Sequence, residues 1–128
     1  MRKLALAAAI SSIAFMTACA PASRFEWGNY EMALYAYAKN PAARDTYRQA
    51  LVTAIDQGRS TDRIAPGLLA ELGYLYLEDG DRSQAVRYFE EEMRLFPESA
   101  PFLTRVIARV NAGASSAAIV TLKQEAAS

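Results

Sequence analysis

The sequence predicts an all-α chain of antiparallel helical hairpins, a stack of about five helices. Three observations carry this. No segment alternates apolar and polar residues as a half-buried strand does. Apolar side chains recur at four-residue spacing: Tyr47, Leu51 and Ile55; Ala85, Phe89 and Met93; Phe102, Val106 and Val110. Helix breakers punctuate the chain at Asn40-Pro41, Pro66-Gly67, Asp79-Gly80-Asp81 and Pro97, leaving room for one helix between each. Short turns between such helices make neighbours antiparallel.

Each element follows from its own residues. Asn29 can cap a first helix over residues 30–39, which carries Met32, Leu34, Tyr35 and Tyr37. Asn40-Pro41 stops it and opens the next, because Asn is a good N-cap and Pro suits the first helical position. The second helix runs to about Gln57, and residues 58–62 read as a polar loop. Pro66 opens a third helix over 67–78, apolar at Leu68, Leu69, Leu72, Leu75 and Tyr76. Asp79-Gly80-Asp81 is a tight turn, and Asp81 with Gln84 fits a variant of the capping box. The fourth helix spans 82–96 and Pro97 ends it. Ser99 and Pro101 begin a fifth, with Phe102, Val106 and Val110 on one face. Beyond Asn111-Ala112-Gly113 the Ala/Ser-rich tail is either a short docked helix or a frayed end.

The first eighteen residues are of another kind. Arg2 and Lys3 form a basic start, and an apolar run from Leu4 to Phe15 is interrupted only by Ser11 and Ser12. The run is too short to span a bilayer stably and has the layout of a secretory signal. Small residues precede Cys19, the only cysteine. An ordinary signal peptide cut there would leave a free thiol, a liability in an oxidising compartment.

Met16-Thr17-Ala18-Cys19 resembles the lipobox of bacterial lipoproteins, with Met16 where leucine is commonest. The resemblance implies lipid on the Cys19 sulfur, cleavage before Cys19 and acylation of the new amine. Several acyl chains anchor stably, since each buried CH₂ contributes about 0.8 kcal/mol. Ala20 stands where an aspartate tends to retain such proteins at the inner membrane, which implies the outer membrane, facing the periplasm. Without residues 1–18 the chain holds 12 basic and 14 acidic residues, a net charge of −2. Charge therefore gains nothing from an anionic membrane, and nothing in the sequence recommends nucleic acid as a partner. Residues 20–24 reach roughly 17 Å when extended, so the domain should sit close to its membrane.

The most specific signal is a spacing: Leu69-x2-Leu72-Gly73-x2-Tyr76, then Ala85-x3-Phe89, then Pro97. It resembles the tetratricopeptide repeat, W-x2-L-G-x2-Y…A-x3-F…P, with Leu69 in place of the tryptophan. Gly73 and Ala85 are small enough for two helices to approach; Leu72, Tyr76 and Phe89 fill between them. Glu92 departs from the pattern, which favours a small residue there. It is expected to be an exposed member of the Glu90–Glu92 run or, alternatively, to hydrogen-bond a tyrosine or arginine of the preceding hairpin. A step of 34 residues back finds Tyr35, Ala38 and Lys39, which do not fit. A single repeat cannot bury its own faces, so the first and fifth helices must cover it. The expected organisation is a lipoprotein signal peptide over 1–18, a lipidated cysteine and short tether over 19–24, a tetratricopeptide-like helical domain over 25–111 and a tail over 112–128.

The mature chain also resembles a family of small uncharacterised bacterial outer-membrane lipoproteins with a tetratricopeptide-like domain. The likeness rests on Trp27-Gly28-Asn29-Tyr30, on Leu34-Tyr35-Ala36-Tyr37 before Lys39-Asn40-Pro41, on Pro66-Gly67-Leu68 leading into Glu71-Leu72-Gly73-Tyr74, and on Phe96-Pro97-Glu98-Ser99. Members are often encoded beside a lipoprotein similar to the curli secretion channel, which implies a shared envelope assembly.

No histidine is present and the one cysteine is assigned to lipid, so the usual bases, nucleophiles and soft metal ligands are lacking. No catalytic residue, metal site or cofactor is expected. What remains is aromatic clustering: Phe25, Trp27, Tyr30, Tyr35 and Tyr37 fall within thirteen residues. Tyr30 and one of Tyr35 and Tyr37 are expected to cover the first hairpin. Phe25 and Trp27 precede it and suit either the membrane interface or a partner. Phe25, Trp27, Tyr35 and Tyr37 are the binding candidates. The expected function is a non-catalytic adaptor or accessory factor in an envelope assembly or secretion complex, held to the membrane by Cys19; the alternative is a binding module for a small apolar or glycan ligand.

Overall fold

The computed structural model describes residues 23–125, with side chains through residue 113. The signal peptide, Cys19 and the rest of the tether before Ser23 lie outside the described residues, as do residues 126–128. Five α-helices follow one another within them: α1 (Tyr30–Lys39), α2 (Arg44–Thr61), α3 (Leu68–Glu78), α4 (Arg82–Leu95) and α5 (Ala100–Glu125). Among the described residues the backbone of each helix lies against that of its neighbours in sequence, and side chains join alternate helices, as Tyr30 of α1 does with Glu71 of α3. The architecture is therefore an all-α stack, with α1 at one end and α5 at the other.

The core has two parts. Tyr47, Leu51, Ala54 and Ile55 of α2 meet Ala33 of α1 and Leu68, Leu69, Leu72 and Leu75 of α3. Ala85 and Phe89 of α4 meet Leu103 of α5. Tyr76 borders both parts and stacks on Tyr88, ring centroids 5.4 Å apart. α3 and α4 come close at Gly73. A Cβ there would lie 2.7 Å from Phe89 Cε1 and 3.2 Å from the Ala85 carbonyl oxygen. Phe89 is fully buried and meets the Tyr74 ring edge-on at 5.0 Å. Leu69, Leu72, Gly73 and Ala85 are buried around it, and Tyr76 is half-buried. Pro97 opens a 3₁₀ turn that redirects the chain into α5.

Several boundaries differ from the sequence expectation. Residues 58–62 are not a loop: α2 continues to Thr61 and ends at Asp62, in the left-handed region at φ 55°. Gly58 reads as a breaker, yet it serves a close approach. A Cβ on it would sit 2.7 Å from Ile64 Cα, where the chain folds back over α2. Its carbonyl accepts from the N–H groups of Asp62 and Arg63, which closes the helix. Asn40 caps as expected, accepting from the Ala42 N–H at 3.0 Å, but a 3₁₀ turn precedes α2. Asp81 accepts from the Gln84 N–H at 3.0 Å, while the Gln84 side chain accepts from Arg87 instead of returning to close the box.

The fifth helix runs unbroken through Gly113 to Glu125. Alanine, the strongest helix former, flanks that glycine and offsets its cost of about 1 kcal/mol. Its inner stripe is Leu103, Val106, Ile107 and Val110. Phe102, grouped by spacing with Val106 and Val110, lies one position off the stripe and is 55% exposed. Leu103 takes the core position because i, i+3, i+4, i+7 fits the packing face better than strict four-residue steps.

Glu92 is the largest departure. It is 2% exposed, not part of a solvated run, and its partner is neither tyrosine nor arginine. Its Oε1 accepts from the Gly67 N–H at 2.7 Å, at the start of α3. Gly67 has φ 93° and no side chain to cap the helix, so α4 supplies the cap. Burial raises the Glu92 carboxyl above its usual range, the N–H groups of Gly67, Ala70 and Leu69 pull it back, and Glu98 pushes it up. Oε2 has no partner at hydrogen-bond geometry.

Three substitutions test this packing by urea unfolding. Phe89→Ala should lose about 3–5 kcal/mol. Gly73→Ala, which in an open helix would gain up to about 1 kcal/mol, should instead lose about 1–3 kcal/mol by overpacking against Phe89. Glu92→Ala should lose about 1–2 kcal/mol. The raised carboxyl gives that last loss a sign with pH. The native state holds the proton more tightly than the unfolded chain, so the wild-type advantage widens as pH falls toward the usual carboxylate range.

Candidate functional site

Phe25 to Tyr30 lead into α1 along a strap bound to the loop between α2 and α3. The Glu26 N–H donates to the Arg63 carbonyl at 2.8 Å, and Glu26 forms an isolated parallel bridge with Ile64. Arg63 Nη2 pairs with Glu26 Oε1 at 3.0 Å and donates to the Ser23 carbonyl at 2.7 Å. From the strap a run of rings enters the core: Phe25 on Trp27, Trp27 on Tyr30, Tyr30 on Tyr47, and Tyr47 stacked on Tyr37 at 5.1 Å.

Phe25, Trp27 and Tyr37 are thus half-buried and pack against the first core. Of the four sequence-predicted binding aromatics, only Tyr35 stands exposed, at 63%, with the Lys39 ammonium 4.5 Å above its ring. Beside it Met32 is 71% exposed. Two large apolar side chains therefore point to solvent, while the small Ala33 faces α2.

That choice opens a cleft. Between α1 and α2 lies an open hollow of about 480 Å³ lined by Asn29, Ala33, Asp45, Thr46, Gln49, Ala50 and Thr53. A second hollow of about 290 Å³, lined by Trp27, Gly28, Asn29, Glu31 and Met32, meets it at Asn29. The floor is small and apolar at Ala33 and Ala50. The sides offer hydrogen-bonding groups at Asn29, Thr46, Gln49 and Thr53. Both charged lining residues, Glu31 and Asp45, are acidic, and no lysine or arginine lines either hollow. Such a surface can seat a helix or extended segment bearing small and basic side chains. Sequence reasoning missed the α2 half. Its signal is a polar stripe at Asp45, Gln49 and Thr53, spaced by four like the buried Tyr47, Leu51 and Ile55 but rotated to the other face.

One hydrogen bond holds α1 in place over the core. The Tyr30 hydroxyl donates to Glu71 Oε1 of α3 at 2.6 Å. Burial, reinforced by the Glu71 carboxylate, raises the tyrosine hydroxyl well above its usual range. Burial also raises the Glu71 carboxyl, which the Tyr30 hydrogen bond pulls back down. Neither group lines the hollows. Among the described residues no three Asp, Glu, His or Cys side chains converge to hold a metal ion.

The family described as a domain of unknown function (DUF4810) matches residues 25–106. No curated protein and no solved structure matches the chain. The matched stretch takes in the strap, α1 to α4 and the first turns of α5, and so the cleft and both parts of the core.

Tyr30→Phe isolates the α1 clamp. The substitution should lose about 1 kcal/mol at neutral pH, the low end for a bond to a charged acceptor because both groups are only half-buried. Without its donor the Glu71 carboxyl rises further and the folded variant holds its proton longer. The loss should therefore shrink as pH falls and Glu71 becomes protonated in both proteins, the opposite sign to Glu92→Ala. Denaturant midpoints at pH 7 and pH 4.5 check it.

Proposed function

The chain belongs to the DUF4810 family, and we propose that it is a periplasm-facing outer-membrane lipoprotein acting as a non-catalytic adaptor in an envelope assembly or secretion complex. The observation that carries the reading is the open, acidic, small-floored cleft between α1 and α2, continued past Asn29 to exposed Met32. An adaptor needs a standing docking surface on a rigid scaffold, and no reactive group. The cleft has that form. Its carboxylates suit a partner with basic side chains, and its alanine floor leaves room for a helix backbone to come close.

Two further features support the assignment. The spacing from Leu69 to Pro97 resembles a tetratricopeptide unit, and the α3–α4 hairpin uses those positions as such a unit would, with a glycine against a buried phenylalanine. Met16-Thr17-Ala18-Cys19 resembles a lipobox, and Ala20 after it favours the outer membrane. The neighbour implied by family resemblance, a lipoprotein similar to the curli secretion channel, is the first partner to test.

Purification of the lipidated chain from membranes in mild detergent should bring down a stoichiometric protein partner. Gln49→Trp, which fills the cleft from an exposed position, should release that partner and leave the fold's stability within about 0.5 kcal/mol. A chain that always purifies alone with a bound small molecule would replace the adaptor by a ligand-binding module. Labelling with a fatty-acid probe should be lost in Cys19→Ser.

A further inference from the structure

The stack has two helix-end edges, and they differ in chemistry. Antiparallel packing brings the N-terminal ends of α1, α3 and α5 and the C-terminal ends of α2 and α4 to one edge. Gly28 lies beside Ala54 and Gln57, Glu92 lies at Gly67, and Phe25, Asp62, Ile64, Leu95 and Phe96 share a hollow of about 210 Å³. Exposed Met32, Leu95 and Phe102 project from the terminal turns on this edge. The other edge is ionic. Arg44 pairs with Asp79 at 2.8 Å and Glu78 at 3.3 Å, Arg48 pairs with Asp79, and Lys39, Asp81 and Arg82 are exposed around them.

The tether belongs to the apolar edge. Ser23 is fixed there by Arg63, and Cys19 is four residues before it. Four residues span at most roughly 14 Å, too little to carry the domain clear of a bilayer or to fit another folded protein between. We propose that this edge, through Phe25, Leu95, Phe96 and Phe102, rests on the lipid surface, while the ionic edge faces the periplasm. The inference rests on the lipidation of Cys19. Aromatic rings suit the interface. The arginines of this edge are met by carboxylates of the same edge, Arg63 by Glu26 at 3.0 Å and Arg59 by Glu91 at 2.8 Å, so the contact rests on the exposed apolar side chains and does not depend on anionic lipid. The stack then stands on its helix ends and the α1–α2 cleft opens sideways, parallel to the membrane, toward other envelope proteins.

The test uses the full lipidated chain in phosphatidylcholine vesicles without other protein. With Cys19 acylated, a cysteine introduced by Phe102→Cys, Leu95→Cys or Arg82→Cys carries an environment-sensitive dye alone. Flotation comes first, and the chain should float with the vesicles. Dye at 102 and 95 should then be blue-shifted and quenched by brominated lipid, unchanged in 1 M salt, and dye at 82 should report water. A floating chain whose dyes respond alike at both edges overturns the orientation but keeps the anchor. A chain that does not float overturns the anchor and the orientation with it.

Discussion

The buried carboxylate of Glu92 is the constraint on which the arrangement turns. α3 begins at a glycine, so its first N–H groups have no cap from their own segment. Those groups lie where the α2–α3 loop meets α4, in a partly buried position, and an unmet donor there would cost roughly 1–3 kcal/mol. Glu92 brings an acceptor from a different helix, at the end where the helix dipole favours negative charge. On α4 it shares a face with Ala85 and Phe89, and all three are buried. The stripe thus meets α3 twice, with a ring against Gly73 and a carboxylate at Gly67. Sliding α4 by one residue would lose both contacts at once, so register follows from a steric contact and a polar one that agree.

From that junction the order passes to the rest of the chain. Fixing the start of α3 fixes the short loop behind it, whose Ile64 lies over Gly58 and whose Arg63 holds the strap. The strap sets the entry of α1, and Tyr30 ties α1 to α3 through Glu71. α1 is only ten residues long, too short to be stable alone. Its position depends on these two attachments and on the ring run from Trp27 to Tyr47. The cleft exists because α1 is held by its ends and by Ala33, with its larger apolar side chains left outside.

Helix number and type were legible in the sequence, because apolar spacing and breakers agreed at every turn. The contact of Gly73 with Phe89 was legible too, since small and large residues at fixed spacing describe one close approach. What escaped was long-range. Gly58 looked like a stop because only Ile64, six residues on, requires the absence of a side chain. Glu92 looked exposed because its partners are backbone groups 25 residues away, which no side-chain pattern marks. The tail hid its helix behind one glycine. At the cleft, Trp27 was legible as an aromatic, but the α2 wall consists of ordinary polar residues whose meaning comes only from facing Ala33.

Perturbed carboxyl groups often mark functional sites, and here they do not coincide with the cleft. Glu71 and Glu92 are both shifted upward by burial and pulled back by donors, the Tyr30 hydroxyl for Glu71 and backbone N–H groups led by Gly67 for Glu92. These donors come from other parts of the stack, so each carboxyl joins two elements. Neither lines the two hollows at α1. The titratable chemistry of this fold is thus spent on its interior, in two contacts where burial raises a carboxyl and hydrogen-bond donors pull it back. The groove that this reading gives to a partner is shaped instead by how α1 is turned, with the Met32 thioether outward and small Ala33 inward as its floor.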